Sequence, residues 1–179
     1  MSTRGYQLRR IVTGLNAQRE SEVTMIGPCT NRLAIDAWPG MFVNELWVTN
    51  GAPADNSGSN DAALRPIRHD PTPGGTIFRV VEIPSETNLK VDAAATFAAM
   101  GSANRPTEKD RSRHFSMHKT NSVDYALVLS GECTMLLEKG EVQIRPGDCI
   151  VQRGTAHAWV NRSNAPCVIA FILIDAIPC

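Results

Sequence analysis

Neither sign of charge dominates this chain: among its 179 residues, 18 Lys and Arg stand against 18 Asp and Glu. No electrostatic footprint for a nucleic acid or an anionic membrane follows from that balance. The most basic stretch is the broken run Lys109, Arg111 and Arg113, interrupted by Asp110, and it reads as a solvated loop. Long apolar runs are also missing. The most apolar segment, CVIAFILI from Cys167 to Ile174, is far below the ~18 residues a membrane span needs and reads as a buried strand. MSTRGYQLRRIVTGLNAQRE at the start has no apolar core of a secretory signal. The five cysteines (29, 133, 149, 167 and 179) form no CxxC pair, and an odd count points to free thiols in a reducing compartment. A cytoplasmic protein is expected, with neither nucleic acid nor membrane as partner. No internal repeat suggests a solenoid.

What is present is a series of short strands. MFVNELWVT (Met41 to Thr49) and TIFRVVEIP (Thr76 to Pro84) flank GAPADNSGSNDAALRPIRHDPTPGG, a loop over 51–75 rich in Gly, Pro, Asn, Asp and Ser. So long a loop in a compact domain is either mobile or lying over a site. VDAAATFAAMG (Val91 to Gly101) is the one helix candidate, with Asp92 to cap it and Gly101 to stop it. From His114 onward the pattern is regular. YALVLSG, ECTMLLE, EVQIR, CIVQR, HAWVN and CVIAFILI are strands of five to eight residues, separated by turns at Gly131, Lys139-Gly140, Pro146-Gly147, Gly154 and Asn164 to Pro166. That spacing predicts an all-β antiparallel sandwich or barrel.

On such a scaffold His114, Ser116, His118 and Thr120 share one face if extended, but His114 and His118 would lie roughly 13 Å apart and could not share an ion. His157, Trp159 and Asn161 share a face of a later strand. Closure of the sheet would bring together His118, Asp124 and His157. Two imidazoles and a carboxylate suit Fe, Zn, Mn or Ni as divalent ions, and open positions on the ion would admit substrate or water. Without a metal, His157 and Asp124 could act directly as base and orienter. Thr120, Tyr125, Gln152, Trp159 and Asn161 are the expected substrate-binding residues. His69 and His114 are read as loop residues, and Asp36 and Glu45 are likewise given no role.

HKTNSVDYALVLSG followed by PGDCIVQRGTAHAWVN resembles the two motifs of the cupin superfamily, a small jelly-roll β-barrel. In the first motif His118 matches the first histidine, Thr120 stands where a second would be, Asp124 replaces a glutamate and Gly131 closes the pattern. Gly147, Gly154, His157 and Asn161 match the second, with Gln152 in place of a proline. The resemblance covers residues 114 to 175. LRRIVTGLNA and PGGTIFRVVE also look like segments of small single-domain cupins from bacteria and from fungal secondary-metabolite gene clusters. It implies a cupin barrel over 106–179 with a strand-rich extension and one short helix over 1–105, together one structural domain. It further implies a small-molecule enzyme for an oxygenated, enolisable substrate (polyketide-like or aromatic acid), working by metal-assisted dehydration, cyclisation, decarboxylation or isomerisation. An Fe(II) dioxygenase and a non-catalytic ligand-binding barrel are the alternatives. The extension would be buried against the barrel or, by strand exchange, in a homodimer.

Overall fold

A computed structural model describes residues 6–102 and 106–178, and it is an all-β jelly roll with two short helices among those residues. The chain runs β1 (Arg9–Leu15), β2 (Ser21–Pro28), β3 (Arg32–Ala34), β4 (Phe42–Thr49), β5 (Thr76–Ile83), α1 (Ala93–Ala99) and α2 (Glu108–Arg113). It continues through β6 (Ser122–Ser130), β7 (Cys133–Leu137), β8 (Glu141–Ile144), β9 (Cys149–Gln152), β10 (His157–Val160) and β11 (Cys167–Asp175). Two sheets make the barrel. One has six strands in the order β3-β4-β5-β11-β6-β9, and the other three in the order β10-β7-β8. Between them lies the main core, built on Val43, Ile77, Val128, Ile169 and their neighbours.

The extension is therefore part of the barrel: β5 pairs along its whole length with β11, from Cys167↔Ile83 to Ile174↔Thr76. The expected boundary between residues 105 and 106 adjoins 103–105, which lie outside the described residues, and Cys179 lies outside them as well. The helix expected over Val91–Gly101 forms over Ala93–Ala99, where Asp92 accepts from the Ala95 N–H and Gly101 takes a left-handed φ of 58°. A second helix, α2, replaces the loop expected at the basic run. Thr107 and Asp110 close a capping box at its start, and Arg113 donates to the carbonyls of Leu137 and Gly140.

One turn shows why a glycine is required. Gly131, between β6 and β7, sits at φ 71°, and a Cβ there would come 2.3 Å from the Pro166 carbonyl oxygen. On the outside, Met117 packs over Leu136 and Ala158 of the three-stranded sheet. Leu8 and Cys29 pack over Leu46, Val80 and Val168 of the six-stranded one. The β1–β2 hairpin springs from Leu8 and Cys29 and belongs to neither barrel sheet.

Candidate functional site

Strand alternation builds the site. In β6, Asp124 points inward between Ser122 and Ala126, and in β5 Arg79 points inward beside Val81. On the opposite wall His157 opens β10, and an isolated antiparallel bridge joins it to His118. Each histidine donates its backbone N–H to the other's carbonyl at 2.9 Å. Residues paired in that way carry their side chains on one face, and the two rings stand with centroids 4.5 Å apart. Both imidazoles use the same local anchor. Nδ1 of His118 donates to the Ser116 carbonyl at 2.8 Å, and Nδ1 of His157 to that of Thr155 at 2.9 Å. A carbonyl can only accept, so the proton sits on Nδ1 and Nε2 is left as the free acceptor of each neutral ring.

Burial keeps both rings neutral. The His118 imidazolium is pushed well below its ordinary range by desolvation, then by His157 and His69 nearby. His157 falls to about 4, again mainly by desolvation. Asp124 moves the other way, to about 6, because burial outweighs the Ser122 hydroxyl that donates to its Oδ1 at 2.5 Å. Arg79 is lowered by desolvation only to about 10 and stays charged. Its guanidinium contacts Glu45 Oε2 at 3.3 Å, while Arg65 Nε reaches Glu45 Oε1 at 2.9 Å. Glu45, given no role from sequence, is fully buried in this ion-pair cluster, and burial raises its carboxyl.

The long loop lies over the site. Asp61 pairs with Arg10, Arg65 with Glu45, and the Arg68 carbonyl accepts from Arg79. The His69 N–H donates to the Met100 carbonyl at the end of α1. The loop so pinned places the His69 ring 5.0 Å from that of His118, with Nδ1 3.2 Å from Asp70 Oδ1. Sequence reasoning missed His69, whose neighbours RPIRHDPTP carry no strand or motif signal. A third imidazole thus stands near the place where Thr120 leaves the first motif without a second histidine.

His69, His118, Asp124 and His157 all line one cavity of about 100 Å³, walled by aromatic and aliphatic side chains. Of the expected substrate-binding residues, Thr120 and Trp159 line it. The Thr120 hydroxyl is buried and has no hydrogen-bond partner among the described residues. Three others do not reach the cavity. Tyr125 faces outward, one residue out of phase with Asp124. Gln152 clamps the following turn, its amide donating to the Thr155 carbonyl and accepting from the Thr155 hydroxyl. Asn161 donates to the carbonyls of Ile83 and Ala165 and accepts from Ser163, so all its capacity goes to backbone and turn. His114 lies at the end of α2, between Ser116 and Glu86.

For a divalent ion the donor set fits in part. Two adjacent imidazoles with Nδ1 tied back to carbonyls are oriented as metal-binding histidines are. Asp124, in contrast, is bonded to Ser122, and among the described residues no three of His, Cys, Asp or Glu are grouped to hold a metal. None of the described helices is long and apolar enough to cross a membrane.

The Cupin_2 family, described as "Cupin domain", matches residues 106–174. Phomopsin biosynthesis cluster protein C' of Diaporthe leptostromiformis is 45% identical over 64 residues, 35% of this chain and 34% of that protein. The cupin-domain-containing oxidoreductase fogC of Aspergillus ruber is 43% identical over 63 residues, 33% of this chain and 31% of that protein. The match thus spans about a third of these relatives' length. The Schizosaccharomyces pombe Cnp3 cupin domain aligns at 11% identity and a TM-score of 0.45, covering 95% of this chain and 89% of that one.

Proposed function

We propose that this chain, which matches the Cupin_2 family over residues 106–174 and is similar over about a third of its length to proteins of fungal biosynthesis clusters, is a small-molecule enzyme acting on an oxygenated, enolisable substrate. The observation that carries the reading is the bridged pair His118 and His157, two neutral imidazoles with free Nε2 atoms in a mostly apolar cavity beside a carboxyl and a guanidinium. A polyketide-like β-keto acid has an acidic C–H next to a carbonyl. His157 Nε2 takes that proton, the C–H electron pair moves into a new C=C bond, and the carbonyl oxygen gathers negative charge. Arg79, charged and lining the same cavity, stabilises that oxygen. Asp124, its carboxyl pushed up to about 6 by burial, returns a proton at another carbon to complete an isomerisation, or to a departing hydroxyl to complete a dehydration.

Deuterium wash-in tests this reading. A panel of β-keto acids in D2O is expected to exchange the hydrogen beside the carbonyl faster than without protein, and His157→Asn is expected to slow that exchange by ~10²-fold or more. Exchange as fast in His157→Asn as in the wild-type protein would overturn the reading.

A second reading is favoured by the orientation of the two rings and by the oxidoreductase names of several relatives. In it His118 and His157, joined by Asp124 once released from Ser122, would hold a divalent ion. The ion would supply Lewis-acid or oxygen chemistry. Titration calorimetry with Zn(II) or Fe(II) separates the readings: a stoichiometric site lost in His118→Asn supports the ion, and heats unchanged by that substitution count against it.

A further inference from the structure

Phe97 is buried for a different reason from the rest of the apolar interior. It sits on α1, outside both barrel sheets, and with Thr96 makes up the buried face of that helix. A large aromatic side chain usually goes into a core, where its area contributes most. Among the described residues, however, Phe97 joins none of the three apolar clusters. Its ring lies edge-on to two imidazoles instead, with centroids 5.4 Å from His118 and 5.8 Å from His69. Trp159 and Phe171 also line the cavity, from β10 and β11, but they pack on each other at 5.3 Å as part of the main core. They are walls of the barrel. Phe97 is a wall that a separate element brings to the histidines.

That element is tied down at both ends. The Asp92 N–H donates to the Ala37 carbonyl at 3.0 Å, and the Met100 carbonyl accepts from the His69 N–H at 2.8 Å. Thr96 turns its hydroxyl back to the Asp92 carbonyl at 2.8 Å, so the side chains that α1 and its cap present to the cavity act as an apolar wall, chiefly Phe97 and Met100. We propose that Phe97 sets the length limit of the substrate, so that the cavity takes only the shortest β-keto acids, those whose alkyl end is a methyl or ethyl group. The class of ligand rests on the enolisation reading above; the limit on its length is added here. An apolar cavity of ~150 Å³ takes one benzene molecule. The keto, methylene and carboxylate groups of a β-keto acid have as many heavy atoms as benzene, so this unit alone fills a cavity of about 100 Å³. Arg79 and the unpaired Thr120 hydroxyl take its oxygens, which leaves the alkyl end against apolar walls. A longer chain needs the space that the Phe97 ring occupies.

Titration calorimetry of the full chain with acetoacetate and with β-ketooctanoate tests the proposal. The wild-type protein is expected to bind acetoacetate ~10-fold or more tightly than the longer acid, because overfilling a packed site is unfavourable. In Phe97→Ala the order is expected to reverse, with β-ketooctanoate favoured by ~100-fold, since each methylene that gains a buried place adds about fourfold in affinity. Phe97→Leu, which keeps an apolar side chain at the position, is expected to move the order the same way by a smaller factor. Circular dichroism checks that both variants remain folded. Wild-type affinity that rises with chain length would overturn the length limit, as would variants that still prefer acetoacetate, even where hydrogen exchange proceeds as the enolisation reading expects. The expected reversal without any hydrogen exchange would support the limit and overturn the enolisation instead. Binding of neither acid to any of the three proteins would overturn both.

Discussion

At two neighbouring positions on each of two strands, the six-stranded sheet inverts the usual patterning of a β-sandwich. In β5, Arg79 is buried toward the cavity while its neighbour Phe78 is exposed; in β6, Asp124 is buried and Tyr125 exposed. A strand that only needed to fold would put the apolar residue inside and the charge outside. Each face thus departs at these positions from what folding alone asks. Inside, titratable groups are desolvated where a small molecule fits. Outside, large apolar side chains stay half exposed in register on four strands.

Removing charge from the inner face is expected to have the largest effect. Glu45→Leu leaves the buried Arg79 guanidinium without its carboxylate, and urea unfolding is expected to show a loss of about 3–5 kcal/mol. The double change Glu45→Leu with Arg79→Leu is expected to recover much of that loss, since it removes both charges together. A double variant no more stable than the single one would show that the pair is not the unit of stability.

The pH dependence of stability sharpens the same contrast. His157 titrates at about 4 in the fold and near 6.5 unfolded, so the unfolded chain takes up the proton first as pH falls. Stability is lost between pH 6.5 and 4, by about 3 kcal/mol on a fully buried ring. Asp124, at about 6 in the fold against 3.8 unfolded, acts in the opposite sense: its penalty is complete above pH 6 and is relieved as pH falls toward 3.8. The two nearly cancel, and His118, also lowered, tips the balance toward acid destabilisation. Asp124→Asn is expected to steepen the decline of the unfolding midpoint between pH 6.5 and 4, and His157→Asn to flatten it. An unchanged profile in both would refute these assignments.

Much of this was legible in the sequence. The strands from β6 to β11 announced themselves through short apolar runs punctuated by turn residues, and the motif positions His118, Asp124 and His157 do face one cavity. Parity within β6 was legible too: Asp124 inward requires Tyr125 outward, which corrects the expected role of Tyr125. The second helix was half legible. Thr107 and Asp110 form its capping box, but EKDRSR has no apolar residue to give it a helical period. His69 was illegible, because its position depends on contacts from Arg10, Glu45, Arg79 and Met100, all remote in sequence. Gln152 and Asn161 looked like pocket groups because their turn partners, Thr155 and Ser163, gave no cue to where the amides would point.

Substitution of the outer face is expected to have the smallest effect on folding. Phe78→Ser and Tyr125→Ser are expected to change monomer stability by no more than ~0.5 kcal/mol in urea unfolding, since neither side chain joins the core. A loss comparable to that of Glu45→Leu would erase the distinction between the faces.

Nitrogen-15 NMR of the imidazole rings across a pH titration examines the inner face most directly. The account predicts that His118 and His157 carry their proton on Nδ1 at neutral pH, and that His157 becomes protonated only near pH 4. Protons on Nε2, or a His157 midpoint at or above 6.5, would contradict it.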